Sequence, residues 1–125
     1  MTTEAYTYKV VHSSIHISDE ENELLCLVDA NDRVIGSIAR SDSVRLSPQG
    51  DKFLRAASAF VQRSDGKLWV PTRSQHKKIA PGGIDYSAGG HVAVGENYLD
   101  TIVRELYEEA QLTVTPAECT LIGRH

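Results

Sequence analysis

The sequence has little of what marks several large classes of protein. It contains only two cysteines, Cys26 and Cys119, without the CxxC spacing of a metal or redox site, so we expect free thiols in a reducing compartment. No apolar run approaches the roughly 18 residues that cross a bilayer, and the start MTTEAYTYKV lacks the pattern of a signal peptide. The sequence therefore predicts a cytoplasmic protein with no membrane partner.

An excess of positive charge is also lacking. The chain has 13 Lys and Arg against 17 Asp and Glu, a formal net charge of -4, so we expect no nucleic-acid partner and any basic site must be local. Its 125 residues, 41% of them hydrophobic, fit one globular domain with one core. We expect a single domain over residues 1–125, in which the weakly patterned residues 1–15 fray or form an edge strand.

Short apolar runs predict strands in the first part of the chain. Residues 24–28 and 34–38 flank turn-forming residues and predict a hairpin. Residues 56–62 and 67–70 are two further candidate strands, joined by the turn SDGK. Residues 71–90 contain two Pro and four Gly, so they predict a long connection of the kind that is either functional or disordered.

One helix is strongly predicted in the last third of the chain. Asn97 is a favourable N-cap residue, and Asp100 stands three positions later, as in a capping box. The apolar residues that follow recur at helical spacing and form one stripe: Leu99, Ile102, Val103, Leu106 and Ala110.

Three glutamates of this helix are neighbours on its surface. Glu105, Glu108 and Glu109 fall within an arc of about 100° that we expect to face away from the apolar stripe. Such like charges cost a few tenths of a kcal/mol per pair, and the helical angle of Arg104 predicts that it does not neutralise them. The residues alone leave two interpretations open, a solvated acidic face and a functional site.

Fixed spacings connect these glutamates to residues before the helix. Five residues separate Gly90 from Glu96, and seven more precede the sequence RELYEE. This pattern resembles the box of the Nudix hydrolases, G-x5-E-x7-R-E-U-x-E-E-x-G-U, in which U is aliphatic. The matching residues are Gly90, Glu96, Arg104, Glu105, Leu106, Glu108, Glu109 and Leu112. Gln111 replaces the last glycine, and we expect it either to end the helix in a left-handed conformation at a cost of about 1 kcal/mol or to change the helix end slightly.

The resemblance implies a fold and a metal site. The fold is the α/β Nudix sandwich, with α/β/α layers, a mixed sheet and a loop–helix–loop box. The metal is Mg²⁺, with Mn²⁺ as the alternative, because hard carboxylate oxygens suit such cations. The implied ligands are Glu108, Glu109 and the carbonyl of Gly89, with Glu105 as a further ligand or the general base. Glu96 and Arg104 would form the structural ion pair of the box; the alternative is that both are merely exposed.

The loop before the box predicts an anion site. Arg73, Lys77 and Lys78 are a local basic cluster in a chain of net negative charge, although the residues alone also fit an ordinary basic loop. The segment VPTRSQHKKIAPGGIDYSAGGHV is similar to isopentenyl-diphosphate isomerase and the Nudix hydrolases nearest to it, in a resemblance that covers roughly residues 24–115. In that branch an Arg and a Lys at the positions of Arg73 and Lys77 hold a diphosphate. His91 matches a metal-ligand histidine there, and it is either a vestigial ligand or a loop residue without a role.

A single position separates hydrolase from isomerase. The isomerases use a cysteine two residues before the histidine, and here that position is Gly89; true isomerases also have a degraded box. We therefore expect a Mg²⁺-dependent hydrolase that splits a diphosphate linkage in a nucleoside-diphosphate-type or other organic diphosphate. The alternative is a Nudix-fold module that binds without turnover, and an isopentenyl-diphosphate isomerase is less favoured.

The segment after the box is short for this family. Nudix domains usually continue with further strands, a closing helix and often another catalytic glutamate. We expect either a truncated domain or a homodimer in which a second copy covers the apolar residues 112–114 and 121–122.

Overall fold

The computed structural model describes residues 22–124, and the prediction for residues 1–15 lies outside the described residues. Its helices and strands, in chain order, are β1 (Leu24–Val28), β2 (Val34–Ala39), α1 (Arg40–Ser43), β3 (Phe53–Leu54), β4 (Ala56–Ala59), β5 (Val61–Gln62), β6 (Leu68–Trp69), β7 (Ala88–His91) and α2 (Tyr98–Ala110). A 3-10 turn follows at Pro116–Glu118. In this part of the chain no helix combines the length and the apolar composition that a membrane crossing requires.

The predicted hairpin is confirmed as β1 and β2, which pair antiparallel. Its turn is held by Asp29, whose Oδ1 accepts hydrogen bonds from the backbone N–H of Asn31 at 2.8 Å and of Arg33 at 3.0 Å. Asp32 adopts a left-handed conformation with φ 62°, which a short polar side chain tolerates. β3 completes a three-stranded sheet in the order β2-β1-β3.

The prediction of one strand over residues 56–62 is wrong, because the chain changes partner there. β4 pairs with β7, whereas β5 pairs with β6, and both pairings are antiparallel. The buried hydroxyl of Ser87 accepts from the N–H of Val61 at 2.8 Å and donates to the carbonyl of Trp69 at 2.6 Å. Because of these bonds, the chain changes its strand partner while the backbone N–H of Val61 and the carbonyl of Trp69 keep a hydrogen-bond partner.

All four strand pairings in residues 22–124 are antiparallel. The parallel pairing that a mixed sheet requires is not among them. Two of these pairings, β1 with β2 and β5 with β6, are short hairpins, whereas the connections from β1 to β3 and from β4 to β7 are long and still join antiparallel strands.

Helix α2 begins and ends as its sequence predicts. Asn97 Oδ1 accepts from the N–H of Asp100 at 2.8 Å, and Asp100 Oδ2 accepts from the N–H of Asn97 at 3.1 Å, which is the predicted capping box. At the other end Gln111 takes the predicted left-handed conformation, with φ 52° and ψ 32°. The N–H of Gln111 donates to the carbonyl of Tyr107 at 3.0 Å, so the helix ends there.

The buried face of α2 differs from the predicted apolar stripe, because it includes one of the three glutamates. Leu99 of the predicted stripe is 38% exposed, while Thr101 and Glu105 are buried beside Ile102 and Leu106. The helix packs on β4 and β7, whose small residues allow its polar side chains to approach the sheet. The core cluster consists of Ala59, Val61, Ala88, Ile102, Leu106, Ala110, Leu112 and Val114.

The apolar segment after the helix divides into two parts. Leu112 and Val114 are buried in the chain's own core, so the prediction that they need a second copy to cover them is wrong. The N–H of Leu112 donates to the carbonyl of Leu106 at 3.0 Å, which turns the chain back onto the helix. Leu121 and Ile122 are 74% and 82% exposed. Both predicted free cysteines are unpaired thiols, Cys26 buried and Cys119 half-buried.

Candidate active site

One ion pair joins the loop between β7 and α2 to the middle of α2. Arg104 Nε donates to Glu96 Oε2 at 2.7 Å, and Arg104 Nη2 donates to Glu96 Oε1 at 3.0 Å. Glu96 Oε1 also accepts from the N–H of Ala93 at 2.9 Å. The guanidinium of Arg104 lowers the pKa of Glu96. The side chains of Glu96 and Arg104 are only 19% and 27% exposed, so this is a built contact and not a pair of merely exposed charges.

Arg104 also reaches the glutamates, contrary to the prediction from its helical angle. Its Nη1 donates to Glu105 Oε1 at 2.9 Å and to Glu108 Oε2 at 3.2 Å. Its Nη2 contacts the carbonyl of His91 at 3.2 Å. A helical wheel locates Cα atoms, whereas a long Arg side chain anchored to Glu96 lies back along the helix surface and meets residues one and four positions on. The like charges are therefore partly neutralised.

Glu105 is the buried carboxyl of the site, with a side chain only 8% exposed. It lies directly over Gly90 of β7, where an added Cβ would come 2.1 Å from Glu105 Oε1. A glycine is required at this position because any side chain would occupy the space of the carboxyl. Burial, and after it the interaction with Glu109, raise the pKa of Glu105 to about 8, although the positive charge of Arg104 acts to lower it.

Glu109 connects the helix to β7 and to the basic loop. Its carboxylate lies beside Glu105 and beside the backbone N–H of Gly89. Partial desolvation by the surrounding protein raises the pKa of Glu109; the negative charge of Asp85 raises it as well, and the positive charge of Lys77 lowers it. The carboxyl end of α2 therefore lies near the loop that carries Lys77 and Asp85.

The carbonyl of Gly89 lies on the same edge of β7 as Glu109. The N–H of Val92 donates to the carbonyl of Arg55, so alternate residues of β7 are directed toward β4 and Gly89 is directed away from it. Within one residue of a strand, the N–H and the carbonyl point to the same side. Since the N–H of Gly89 meets Glu109, its carbonyl is also available on that edge.

The three glutamates do not converge on one point. Glu108 is 54% exposed and bound to Arg104, while Glu105 and Glu109 are bound to each other. Across residues 22–124 no group of three or more His, Cys, Asp or Glu side chains is arranged to hold a metal ion. The donors nevertheless fit a hard divalent cation, because two carboxyls that share a proton and a backbone carbonyl supply only oxygen.

Arg73 and Lys77 lie on a loop ordered by its own hydrogen bonds. The N–H of Arg73 donates to the carbonyl of Gly83 at 2.7 Å, which joins the two ends of the loop. The side chain of Arg73 forms an ion pair with Asp85. Lys77 and Lys78 are exposed. Sequence reasoning missed Asp85, since a lone acidic residue beside a basic loop belongs to no local pattern.

His91 is not brought to the glutamates. Side chains alternate along a strand, so His91 lies on the face of β7 opposite to Gly90 and Glu105. Burial lowers the pKa of His91, the positive charge of Arg40 lowers it further, and Glu23 opposes the shift. His91 therefore lies near the Arg40–Glu23 ion pair, whose atoms are 2.9 Å apart.

Comparison with known proteins establishes the family. The model of the NUDIX domain matches residues 52–125. An uncharacterized Nudix hydrolase of Nostoc sp. is 42% identical over 104 residues, which cover 83% of this chain and 60% of that protein. The chain belongs to the Nudix family. This finding confirms the resemblance read from the box.

Two further relatives provide evidence on the fold of this chain and on the branch of the family that it resembles. A crystal structure of a Deinococcus radiodurans protein matches with a TM-score of 0.59 and 36% identity, over 73% of this chain and 54% of that one. The isopentenyl-diphosphate Delta-isomerase of Serratia proteamaculans is 38% identical over 88 residues, 70% of this chain and 47% of that protein. The predicted α/β Nudix fold and the likeness to the isomerase branch are thus confirmed. The chain spans 46% to 60% of the length of Nudix hydrolases that it matches.

Proposed function

We propose that the protein hydrolyses a diphosphate linkage in a small organic molecule and requires a divalent cation, Mg²⁺ or Mn²⁺. The observation that carries the proposal is that Glu105, Glu109 and the backbone of Gly89 lie together. Two adjacent carboxyls without a cation share a proton, and hard oxygen donors in this arrangement suit a divalent ion. Membership of a family of hydrolases that generally use divalent metals supports the same conclusion.

The residues that would hold the cation are Glu105, Glu108, Glu109 and the carbonyl of Gly89. When bound, the cation would supply charge withdrawal from the phosphorus and a more acidic water. Glu105 would be a further ligand of the cation or the general base, since its buried carboxyl lies beside Glu109. Arg104 and Glu96 position the helix, and Gly90 leaves the space that Glu105 occupies.

The proposed substrate contacts are Arg73 and Lys77. Lys77 is exposed and close enough to Glu109 to influence its pKa, so an anion beside the carboxyl end of α2 would meet its positive charge. Arg73 would add hydrogen bonds to two phosphate oxygens. The substrate class that fits is a nucleoside-diphosphate-type or other organic diphosphate.

A second candidate is a Nudix-fold module that binds a phosphorylated ligand without turnover. One observation favours it: Glu108 is held by Arg104, and the three glutamates do not converge. An isomerase remains the less favoured interpretation, because Gly89 occupies the position of the isomerase cysteine.

A panel of nucleotide and other organic diphosphates separates these functions. We expect release of phosphate products from at least one member of the panel with Mg²⁺, none with a chelator, and none from Glu109→Gln. Tight binding of a panel member without product would favour the binding module. Conversion of isopentenyl diphosphate to its isomer would favour the third function.

We also propose that the protein forms a homodimer. Leu121 and Ile122 are adjacent and more than 70% exposed, an unusual pair for a surface that contacts only water. A specific interface would bury at least about 1,000 Å². Light scattering at micromolar concentration should give twice the monomer mass, and Leu121→Ser with Ile122→Ser should reduce it. A monomer with a cooperative melt would contradict the proposal.

A further inference from the structure

Asp85 closes the basic loop and has no role in the proposed chemistry. Its Oδ2 pairs with Nη1 of Arg73, its Oδ1 accepts from the N–H of Tyr86 at 2.8 Å, and its own N–H donates to the carbonyl of Pro71 at 2.9 Å. Both carboxylate oxygens are therefore used, and the backbone on each side of the carboxylate is fixed. The position of Asp85 is determined by the loop and not by solvent.

The guanidinium of Arg73 is held at two of its three nitrogens. A guanidinium has five N–H donors in a rigid plane. Nε of Arg73 donates to the carbonyl of Ile79 at 3.0 Å, and Nη1 donates to Asp85. Within residues 22–124 the Nη2 group makes no hydrogen bond, and the side chain is 23% exposed. Two anchors therefore fix the plane of the group and leave the N–H donors of Nη2 for a ligand.

The loop that carries Arg73 and Asp85 lies near the carboxyl end of α2. The Thr72–Ile84 bridge and the bond from Arg73 to Gly83 bring the two arms of the loop together. The charges of Asp85 and Lys77, one from each arm, both act on Glu109. The loop thus presents its basic groups beside the glutamates.

We propose that Asp85 is a positioning residue that fixes the Arg73 guanidinium so that its Nη2 group donates to a diphosphate. The proposal rests on the proposed function only in taking a diphosphate as the ligand. Asp85 is itself negative, so its charge alone would weaken anion binding; the gain comes from orientation of a planar donor that would otherwise have many rotamers. The two effects have opposite signs, which makes the role measurable.

Binding of imidodiphosphate, whose P–N–P bridge resists hydrolysis, tests the proposal by calorimetry in the presence of Mg²⁺. The proteins are the wild type, Asp85→Ala, Arg73→Ala and the double variant. We expect Asp85→Ala to weaken binding about 10-fold in the wild-type background and to have no further effect in the Arg73→Ala background, because a residue that acts through another is non-additive with it. Binding as tight as or tighter than wild type in Asp85→Ala would overturn the proposal, as would an equal loss in both backgrounds.

Asp65→Ala is the matched control. Asp65 Oδ1 also accepts a backbone N–H, from Lys67 at 3.0 Å, and its Oδ2 is 3.4 Å from Nη2 of Arg63, but it belongs to the turn between β5 and β6. We expect unchanged imidodiphosphate binding from this variant. A loss equal to that of Asp85→Ala would show that the effect does not depend on the contact with Arg73 and would overturn the proposal.

A third variant keeps the test decisive if Asp85→Ala does not fold. Asp85→Asn retains one acceptor of the two, so we expect a smaller loss of affinity that again disappears in the Arg73→Ala background. In kinetics, loss of Asp85 should raise KM more than it lowers kcat, since orientation of a binding group is lost. If no diphosphate in the panel is hydrolysed but imidodiphosphate still binds with this pattern, the hydrolase proposal fails and the role of Asp85 stands.

Discussion

The glutamates at the two ends of helix α2 have pKa values shifted in opposite directions. At the first end Asn97 and Asp100 cap the backbone, and Glu96 is matched by Arg104, which lowers the pKa of the glutamate. At the last turns Glu105 and Glu109 lie against each other, and burial raises the pKa of both. The same type of side chain is thus stabilised as an anion at one end and destabilised as an anion at the other.

A second contact reinforces the first end. Asp32 Oδ1 accepts from Arg55 Nε at 2.7 Å and from the hydroxyl of Tyr98 at 2.9 Å, and the Arg55 bond lowers the pKa of Asp32. Arg55 also lies over the ring of Tyr98, 5.2 Å from its centroid. These bonds fasten the first residue of α2 to the β1–β2 hairpin. A helix held firmly at its start can carry repelling carboxyls near its end.

The contrast indicates where the function lies. Ordinary surface glutamates are solvated or paired, whereas clustered carboxyls with raised pKa values mark sites that bind a cation or move a proton. In the proposed function the first end of the helix contributes stability, and the second end would carry the chemistry. Substitutions at the two ends should therefore separate activity from stability.

The largest effect should come from removing one anionic donor at the second end. Glu109→Gln should lower metal-dependent hydrolysis by about 1,000-fold, within the range for loss of a catalytic carboxyl. Without metal its melting temperature should be unchanged or higher, because one repelling charge is gone. The control Glu118→Gln changes a glutamate that caps the 3-10 turn at Thr115 and should retain activity. Wild-type turnover in Glu109→Gln would assign the glutamates to structure.

Filling the space under Glu105 should have the next largest effect. In Gly90→Ala the added Cβ would come 2.1 Å from Glu105 Oε1, so the carboxyl must move. A misplaced catalytic group of this kind costs about 100-fold in kcat. Gly123→Ala is a control, since a Cβ at Gly123 has no atom within 4 Å. Full activity in Gly90→Ala would show that the position of Glu105 is unimportant.

A smaller effect should appear in the dependence of stability on pH without metal. The folded-state pKa of Glu105 is about 8 against an ordinary 4.5, so between these values the folded state holds a proton that the unfolded state has released. Stability should therefore fall as pH rises through this window. Urea unfolding at pH 5 and pH 8 measures the slope.

Glu105→Gln isolates that contribution. The variant keeps His91, whose lowered pKa gives the opposite slope, so the difference between wild type and variant belongs to Glu105 and its partner Glu109. We expect the loss of stability from pH 5 to pH 8 to be smaller in Glu105→Gln. Equal slopes in the two proteins would mean that Glu105 titrates normally.

The smallest effect should come from the residue that ends the helix. Gln111 has φ 52°, a conformation that glycine adopts without strain, so Gln111→Gly should stabilise the protein by about 0.5 kcal/mol after the greater freedom of glycine in the unfolded chain is counted. Chemical denaturation would detect it as a higher midpoint. Activity should stay unchanged, because the strain concerns the backbone at the helix end.

The local features of α2 were predictable from sequence, and the tertiary ones were not. The Asn97 cap and the left-handed Gln111 depend on a few neighbouring residues, so the sequence alone predicts them. The burial of Glu105 depends on Gly90, which is 15 positions away, and on the sheet beneath the helix. For the same reason the break in the strand at Phe60, which Ser87 accommodates, follows from partners distant in sequence.

The contacts of the long Arg104 side chain could not be predicted from a helical wheel either. Arg104 contacts Glu105 and Glu108 because Glu96 anchors it from the preceding loop, and the wheel includes neither the anchor nor the length of the side chain. Asp85 was missed because its partner Arg73 lies across the loop. The spacing of the motif predicted the region of the site, whereas only the fold shows which charged side chains pair with each other.

The most direct test of the central claim is the effect of Mg²⁺ on the melting temperature of the metal-free protein at pH 8. A ligand that binds only the folded state stabilises it in proportion to RT ln(1 + [L]/Kd), so the melting temperature should rise with Mg²⁺ concentration. The rise should be absent in Glu109→Gln and present in Glu118→Gln. A wild-type melting temperature that does not change with Mg²⁺, or an equal rise in Glu109→Gln, would contradict the assignment of a cation site to the carboxyl end of the helix.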